Sequence, residues 1–326
     1  MAKLARKVTL RQLQIFEAIV RLHSFTRAAA ELHLTQPTVS TQLKLLAEAV
    51  GLPLIEHVGK EFYLTVAGKE LYAVAQDILR ALEHIEMKVA DLQGLKAGTL
   101  RLAVISTAKY FAPEVLGRFA KKYPLVEVAI HIANRDSVLQ RLAANQDDLY
   151  IVGEPPAELS MESVAFAENP LFVMAHRQHP LVREHRIPLA RIAEEPFISR
   201  EHGSGIRASV EKLFSEHGLR PKVRLELSSN EAIKHAIRGE LGISVLSLHS
   251  ILQEGVRGPI ALLDVEGFPI RRQWHVVYPR GKALSVVAQE FLRFLTEQGR
   301  ELSARLERYL ADLQRAARRP SGKARR

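Results

Sequence analysis

Residues 24–40 read SFTRAAAELHLTQPTVS, and this stretch decides how the first part of the chain folds. Small residues at 28–30 allow a neighbouring helix to approach a short helix closely. The segment 34–37 (Leu-Thr-Gln-Pro) then breaks that helix and starts another, with Thr35 or Gln36 as cap, because proline fits a first helical position. The spacing predicts two helices joined by a tight turn, the pattern of a helix-turn-helix.

The helices on either side of this turn have clear ends. Apolar residues recur at helical spacing over 10–22, with Thr9 as the predicted N-cap. The helix after the turn runs over about 38–50 and stops at Gly51. Its apolar face, which is expected to pack inward, consists of Val39, Leu43, Leu45 and Leu46. Its polar face carries short or amide-bearing side chains that can reach base edges and phosphates, together with one lysine: Gln36, Thr38, Ser40, Thr41, Gln42 and Lys44.

Two further elements follow this helix. Residues 53–66 predict a short hairpin with Gly59 and Lys60 at its tip. Lys60 can serve as a wing that places a cation beside a phosphate, and the alternative is a plain surface hairpin. Over 67–93 apolar residues follow three- and four-residue steps, which indicates a long linker helix with a coiled-coil partner. We therefore predict a DNA-binding domain over 1–66, a dimerisation helix over 67–93 and a hinge over 94–98.

From residue 99 the chain alternates between strand and helix patterns. This alternation predicts largely parallel sheets flanked by helices. About 200 residues are generous for one such sheet, so two lobes are expected. The predicted ranges are 99–163 with 269–298 for lobe I, 164–268 for lobe II and 299–326 for a basic C-terminal tail. The fold class is α/β with an all-α winged helix-turn-helix N-terminal domain.

Composition excludes several classes of protein. Of the 326 residues 47% are hydrophobic and 25% are charged, which argues against disorder over most of the chain. Without cysteine there are no disulfides, thiolate metal sites or cysteine nucleophiles. No apolar run reaches the ~18 residues that span a bilayer, and no secretory signal begins the chain. A cytoplasmic protein with no membrane partner is expected.

The net charge of +10 is concentrated at the two ends. Residues 1–50 carry seven Lys/Arg against three Asp/Glu, and residues 299–326 carry nine against three. Basic ends favour nucleic acid, because they neutralise phosphates and release counterions. For 299–326 the alternatives are a solvated, frayed helix or a contact with DNA or another subunit.

Residues 8–93 resemble the N-terminal winged helix-turn-helix and linker helix of LysR-type transcriptional regulators. The matching runs include Leu10-Arg11-Gln12-Leu13, Ser24-Phe25-Thr26-Arg27-Ala28-Ala29, Leu34-Thr35-Gln36-Pro37-Thr38-Val39-Ser40, Leu64-Thr65 and Ala67-Gly68. The match adds Arg27, Thr35 and Pro37 to the candidate DNA contacts. His57 is also a candidate, but many relatives carry arginine there, so its contact with phosphate is expected to be weaker.

The remainder resembles the family's two-lobed effector domain, which is similar to periplasmic binding proteins. The resemblance implies a homodimer or homotetramer held partly by the linker helices. It also implies recognition helices in major grooves about 34 Å apart, on interrupted dyad promoter sites in double-stranded DNA, with RNA polymerase as a further partner. A small anionic metabolite would bind between the lobes, and lobe closure would change the DNA bend.

Within that family, the run 106–113 (STAKYFAP) and Val58-Gly59-Lys60 are similar to regulators of RuBisCO (Calvin cycle) operons. This similarity suggests a phosphorylated sugar or a related metabolite as the effector. A LysR-type regulator of a different metabolic operon is the alternative.

Candidate effector contacts follow from the strand–helix order. In alternating sheets ligands bind beyond the C-terminal ends of strands, where hydroxyl groups at helix starts suit an anion. The candidates are Ser106, Thr107, Lys109, Asn134, Arg135, Arg200, Ser204, Arg207 and Asn230. Helix capping is the alternative role for the serine, threonine and asparagine residues.

An enzyme is the competing class of function. Ser106 and Lys109 have the spacing of a serine acyltransferase motif, but its companion motifs are absent. No nucleophile elbow, phosphate-binding loop or dinucleotide fingerprint occurs. His176 and His179 lack further ligands, so neither a metal nor a cofactor is predicted. A solute-binding protein with a helical appendage is another alternative, against which the helix-turn-helix and the missing signal peptide argue.

Overall fold

The structure, a computed structural model, describes residues 4–59, 61–92, 97–156 and 159–318. The chain divides into two compact units, Met1–Gly94 and Leu95–Arg326. After a short 3-10 turn, the first unit contains helices and one β-hairpin. They are α1 (Leu10–Leu22), α2 (Phe25–Glu31), α3 (Gln36–Val50), β1 (Ile55–Val58), β2 (Glu61–Leu64) and α4 (Val66–Leu92).

Side-chain caps set the helix ends of the first unit. The Thr9 hydroxyl accepts from Gln12 N at 3.2 Å while the Gln12 side chain accepts from Thr9 N at 2.9 Å, which closes a capping box on α1. Thr35 caps α3, so this helix begins at Gln36 and not at the predicted Thr38. Gly51 ends it with a φ of 83°, a left-handed conformation that favours glycine.

The core of the first unit explains one error in the predicted inward face of α3. Val39, Leu43 and Leu46 are buried, as expected, but Leu45 is 43% exposed. At about 100° per residue, Leu45 lies roughly 200° from Leu43 and points to the opposite side. Because β1 and β2 pair as an antiparallel hairpin, the N-terminal domain is not all-α.

The second unit contains the remaining strands and helices. The strands are β3 (Gly98–Ile105), β4 (Val126–Ala133), β5 (Leu149–Val152), β6 (Met161–Glu168), β7 (Leu171–His176), β8 (Phe197–Arg200), β9 (Val223–Leu227), β10 (Ser244–Ser247), β11 (Ile260–Leu262) and β12 (Gln273–Pro279). The α-helices are α5 (Ala112–Lys122), α6 (Arg135–Ala143), α7 (Leu189–Glu194), α8 (Gly205–Glu216), α9 (Asn230–Arg238) and α10 (Val286–Arg318).

These elements form two lobes. The sheet of lobe I has the order β4-β3-β5-β12-β6, in which β3 is parallel to β4 and β5 while β12 is antiparallel to β5 and β6. Lobe II has an antiparallel sheet of order β10-β7-β11 and a parallel pair β8-β9. The prediction of largely parallel sheets is therefore wrong for β12 and for β7, β10 and β11. The chain enters β12 on its return from lobe II and not through a helical crossover, which reverses the direction of that strand.

The boundary between the lobes lies later than predicted. β6 continues to Glu168 and pairs with β12 along its length, so residues 164–168 belong to lobe I. Two crossover segments then connect the lobes side by side. Asn169 N donates to Arg272 O at 2.7 Å, and Leu171 bridges Ile270.

The C-terminal helix corrects the predicted tail. α10 runs through most of the predicted tail and continues to Arg318, and Leu302, Leu306 and Tyr309 are buried. Their three- and four-residue spacing keeps one apolar face beneath the basic residues. Leu306 and Tyr309 belong to a core cluster of lobe II, so α10 packs on both lobes. Residues 319–326 of the predicted tail lie outside the described residues.

No described helix is long and apolar enough to cross a membrane.

Candidate DNA-binding surface and effector cleft

The polar face of α3 is accessible at its N-terminal end. Gln36, Pro37, Thr38, Thr41 and Lys44 are exposed, whereas Ser40 and Gln42 are half-buried. Gln36 Nε2 donates to Ser40 Oγ at 3.2 Å, and Thr41 Oγ1 donates to Pro37 O at 2.9 Å. These short local bonds hold the side chains in place and leave the Gln36 amide at the surface.

The other predicted DNA contacts of the first unit have different surroundings. Thr35 is occupied as the cap of α3, with its hydroxyl 2.8 Å from Thr38 Oγ1. Arg27 is exposed on α2 and donates to Leu22 O. His57 is exposed on β1, with its ring 6.5 Å from that of Phe62. Lys60 lies outside the described residues.

Side chains of the two lobes meet directly in the second unit. Arg200 Nη2 donates to Ser106 Oγ at 3.2 Å, and Asn230 Nδ2 donates to Thr107 Oγ1 at 3.3 Å. Arg200 also donates to Asn230 and forms a bidentate pair with Glu201. The two lobes are therefore in direct side-chain contact across the cleft.

A small cavity lies at the base of the cleft between the lobes. We call this cavity, with the residues that line it, the effector cleft. Its volume is about 10 Å³, room for one water at most. The lining residues are Ile105, Ser106, Thr107, Arg135, Asn169, Arg200, Ser204, Gly205, Ile206 and Arg272. Ser204 is the N-cap of α8, yet its side chain makes no capping hydrogen bond with the described residues. The cleft thus joins a helix N-terminus to three guanidinium groups, an arrangement that suits an oxyanion.

The structure brings five predicted effector contacts to this cavity and leaves four away from its lining. Ser106, Thr107, Arg135, Arg200 and Ser204 line it, and Asn230 is tied to its edge through Arg200 and Thr107. Asn134 caps α6 by accepting from Ser137 N at 3.0 Å, the alternative role given for it above. Lys109 faces Glu231 at 3.9 Å, and Arg207 is held by Glu211 and Glu226 at 2.7 and 2.6 Å.

A second contact between the lobes lies beside the cleft. Tyr110 OH donates to Glu231 at 2.6 Å, and Lys234 pairs with the same carboxylate at 3.0 Å. Burial and the neighbouring Glu231 raise the pKa of Tyr110, so its hydroxyl keeps its proton and acts as the donor. Burial alone raises the pKa of Glu231, but the hydrogen bonds from Tyr110 and Lys234 lower it below its usual value. We call this contact the Tyr110 latch.

Arg272 is a cleft residue that sequence reasoning missed. Its side chain is 5% exposed, and its Nη1 donates to Gly205 O at 3.0 Å and to Ser209 Oγ at 3.1 Å. Burial lowers the pKa of Arg272. A Cβ at residue 153 would lie 2.5 Å from Arg272 Nη2, so Gly153 makes room for the guanidinium. The sequence did offer one signal for Arg272, because this residue comes directly before β12. The segment that returns from lobe II to β12 passes the effector cleft, so a basic residue there is a candidate ligand contact.

Comparison with protein families gives two matches that divide the chain as the structure does. Residues 10–69 match the model of the bacterial regulatory helix-turn-helix protein, lysR family. Residues 93–300 match the model of the LysR substrate binding domain. The chain belongs to the LysR family of transcriptional regulators.

Individual relatives agree with this LysR assignment. The HTH-type transcriptional activator CmpR of Synechocystis sp. is 52% identical over 290 residues, covering 89% of this chain and 95% of CmpR. A RuBisCO operon transcriptional regulator of Acidithiobacillus ferrooxidans is 49% identical, covering 89% and 94%. The solved CcmR regulatory domain of Synechocystis PCC6803, in complex with 2-PG, is 48% identical with a TM-score of 0.61. It covers 63% of this chain and 98% of that domain.

The C-terminal helix α10 extends beyond the part of the chain that the LysR effector-domain model matches. The effector-domain model ends at residue 300, while α10 continues to Arg318. The buried residues Leu302, Leu306 and Tyr309 therefore come from a segment outside the matched range.

Proposed function

We propose that this LysR-type regulator controls a carbon-fixation operon and activates its transcription when an oxyanion such as 2-PG binds in the effector cleft. The observation that carries the proposal is the small cavity where Arg135, Arg200 and Arg272 meet the N-terminus of α8. The relatives add support, because a 48% identical regulatory domain was solved with 2-PG and two close relatives are CmpR and a RuBisCO operon regulator. The role is regulatory and not enzymatic, and its place is the cytoplasm.

On DNA, the proposal assigns base reading to the exposed start of α3. Gln36, Thr38 and Thr41 contact base edges, and Lys44 neutralises a phosphate. The remaining predicted contacts are Arg27, Thr35, Pro37, Ser40, Gln42, His57 and Lys60. The sites are interrupted dyads in double-stranded promoter DNA, with RNA polymerase recruited beside them.

A homodimer, further paired into a homotetramer, is supported by α4. Five apolar residues along one stripe of this helix are exposed: Val74, Ile78, Leu82, Ile85 and Val89. Packing against a partner helix would bury this apolar stripe away from water. We expect Leu82→Asp to dissociate the assembly in sedimentation equilibrium, whereas Asp77→Ser, about 100° off the stripe, leaves it intact. An unchanged assembly in Leu82→Asp would remove α4 from the interface.

The proposed function is tested by measuring whether binding of 2-PG changes binding of promoter DNA. The purified chain is titrated with 2-PG by calorimetry, and footprinting measures binding to the promoter of a carbon-fixation operon with and without 2-PG. We expect a saturable heat and a changed footprint, both lost in Arg200→Gln. Protection of the promoter that does not respond to 2-PG would contradict this effector, and no protection at low salt would contradict the operon.

A further inference from the structure

A large cavity in the second unit lies next to the effector cleft, and we call it the α8 groove. Its volume is about 890 Å³, within the roughly 300–1,000 Å³ of small-molecule sites. One wall is a single face of α8, formed at three- and four-residue steps by Ser209, Lys212, Leu213 and Glu216. Other parts of the wall include Glu154 and His275 of lobe I, the crossover residue Ile270 and Leu310 of α10.

The α8 groove is separate from the effector cleft. Among the described residues, Arg272 alone lines both cavities. Its two hydrogen bonds run to Gly205 O, which is on the cleft side, and to Ser209 Oγ, which is on the groove side. The guanidinium of Arg272 therefore separates the effector cleft from the α8 groove, which lie one after the other along α8.

In this position, one hydrogen-bond donor of Arg272 has no acceptor among the described residues. Its Nε is buried and makes no hydrogen bond with any described residue. The nearest carboxylate oxygen, Glu154 Oε2, lies 3.8 Å away, beyond hydrogen-bond distance. The Glu154 side chain is 67% exposed and belongs to the groove wall, so the unpartnered Nε faces that side. A buried guanidinium with an unmet donor costs free energy that an oxyanion would recover.

The rest of the groove defines what an oxyanion ligand must carry. Phe172, Leu213 and Ile270 give an apolar floor, and Lys212 and Arg271 add cations at the exposed rim. The carboxylates of Glu154, Glu168 and Glu216 also line it, so a bare anion gains little net attraction. We propose that the α8 groove is a second ligand site, which takes a metabolite that carries a carboxylate or phosphate on an apolar body, with Arg272 as its anion receptor.

The position of Glu154 predicts the direction in which a substitution there changes the binding affinity. Its carboxylate competes for Arg272 and repels an incoming oxyanion, so Glu154→Gln should strengthen binding about three- to tenfold. Lys212→Ala removes a rim cation that does not line the effector cleft and should weaken binding by a similar factor.

The experiment uses the full-length chain and phenyl phosphate as the probe, measured by equilibrium dialysis. We expect one phenyl phosphate per chain, bound more tightly than inorganic phosphate because the apolar floor contributes. Binding should persist in Arg200→Gln, because Arg200 does not line the α8 groove. Arg272→Gln should weaken binding, and circular dichroism with thermal melting checks that each variant is folded.

The outcomes separate the groove from the cleft. Phenyl phosphate that still binds under saturating 2-PG, and that responds to Lys212 and Glu154 as stated, supports the proposal. Displacement by 2-PG, loss in Arg200→Gln, or affinities unchanged in Lys212→Ala and Glu154→Gln would overturn it. The Lys212 and Glu154 variants report on the groove whether or not 2-PG binds in the cleft, so failure of the proposed effector leaves this test intact.

Discussion

At the scale of single residues, we propose that specificity for DNA rests on the exposed amide of Gln36. An amide can donate and accept toward adenine at once, a directional contact, whereas a lysine contacts phosphate whatever the sequence. The two side chains lie on the same exposed helix, Gln36 at its first position and Lys44 two turns later. They therefore form a matched pair for separating base reading from charge.

Gln36→Ala should relax sequence preference by about 1–3 kcal/mol, because it removes a bidentate contact. Binding to random DNA should change little. Lys44→Ala should weaken binding to all sequences alike and lower the salt slope by about one. Binding isotherms on operator and random DNA at several salt concentrations measure both. Equal losses on the two DNAs for Gln36→Ala would remove this residue from base reading.

His249 is a residue whose burial links stability to pH. Its Nε2 lies 2.9 Å from Glu168 O, and its ring packs against Phe111 and Trp274. Burial lowers the pKa of His249 to about 4 from an ordinary value near 6.5. Between these values the unfolded chain binds the proton more readily than the folded chain. The free energy of unfolding therefore falls as the pH drops from about 6.5 toward 4.

His249→Gln should remove this contribution, which has a slope of at most about 1.4 kcal/mol per pH unit. Urea unfolding at pH 7, 6 and 5 measures it as the difference in slope between the parent chain and the variant. His131→Gln, at an exposed position on β4, is the control for the histidine-to-glutamine replacement itself. Identical slopes in His249→Gln and the parent would show that His249 does not titrate in this range.

At the scale of elements, local signals predicted helix ends well. Thr9 and Gly51 act within one turn of their own positions, so the sequence alone carries that information. The direction of β12 and the length of α10 depend on partners far along the chain. β12 is antiparallel because it returns from lobe II, and α10 is long because its apolar face meets lobe II.

The candidate site divides in the same way. The strand-end rule predicted Ser106, Arg135 and Arg200, which the structure brings to one cavity. It could not foresee that acidic neighbours hold Lys109 and Arg207 elsewhere, because Glu231 and Glu226 approach through the folded lobe. Arg272 was missed because its crossover reaches the cleft only after the chain has returned from lobe II.

Gly299 shows how closely α10 approaches lobe I. A Cβ at this position would lie 1.8 Å from Phe166 O, a backbone atom that cannot move aside cheaply. Gly299→Ala should therefore destabilise the protein by roughly 1–3 kcal/mol despite the better helix propensity of alanine. Gly117 in α5 is the matched control, because its added Cβ would meet no atom within 4 Å.

We expect Gly117→Ala to be neutral or to stabilise by up to about 1 kcal/mol. Urea unfolding of both variants gives the comparison. Equal stability of the two alanine variants would mean that α10 does not lie against β6 as the structure has it.

At the scale of the whole molecule, the two units carry different chemistry. The first presents polar side chains on α3, and the second holds buried guanidinium groups between its lobes. The effector cleft has a volume of about 10 Å³, room for one water at most, so we expect the lobes to separate before a metabolite enters. Separation breaks the Arg200–Ser106 and Asn230–Thr107 bonds and the Tyr110 latch. The free energy of these contacts therefore sets how often the cleft opens.

Tyr110→Phe tests this link between closure and effector entry. The variant keeps the ring, which lies 5.2 Å from Lys109 Nζ and 5.3 Å from Lys234 Nζ, and removes only the hydroxyl donor to Glu231. A net hydrogen bond contributes about 0.5–1.5 kcal/mol, so the open population should rise about two- to tenfold. The association rate of 2-PG in stopped-flow measurements should rise by the same factor, because binding requires opening first. Tyr123→Phe, whose hydroxyl donates to Glu290 within lobe I, is the control and should leave this rate unchanged. An association rate that is equal or slower in Tyr110→Phe would show that opening of the latch does not limit entry.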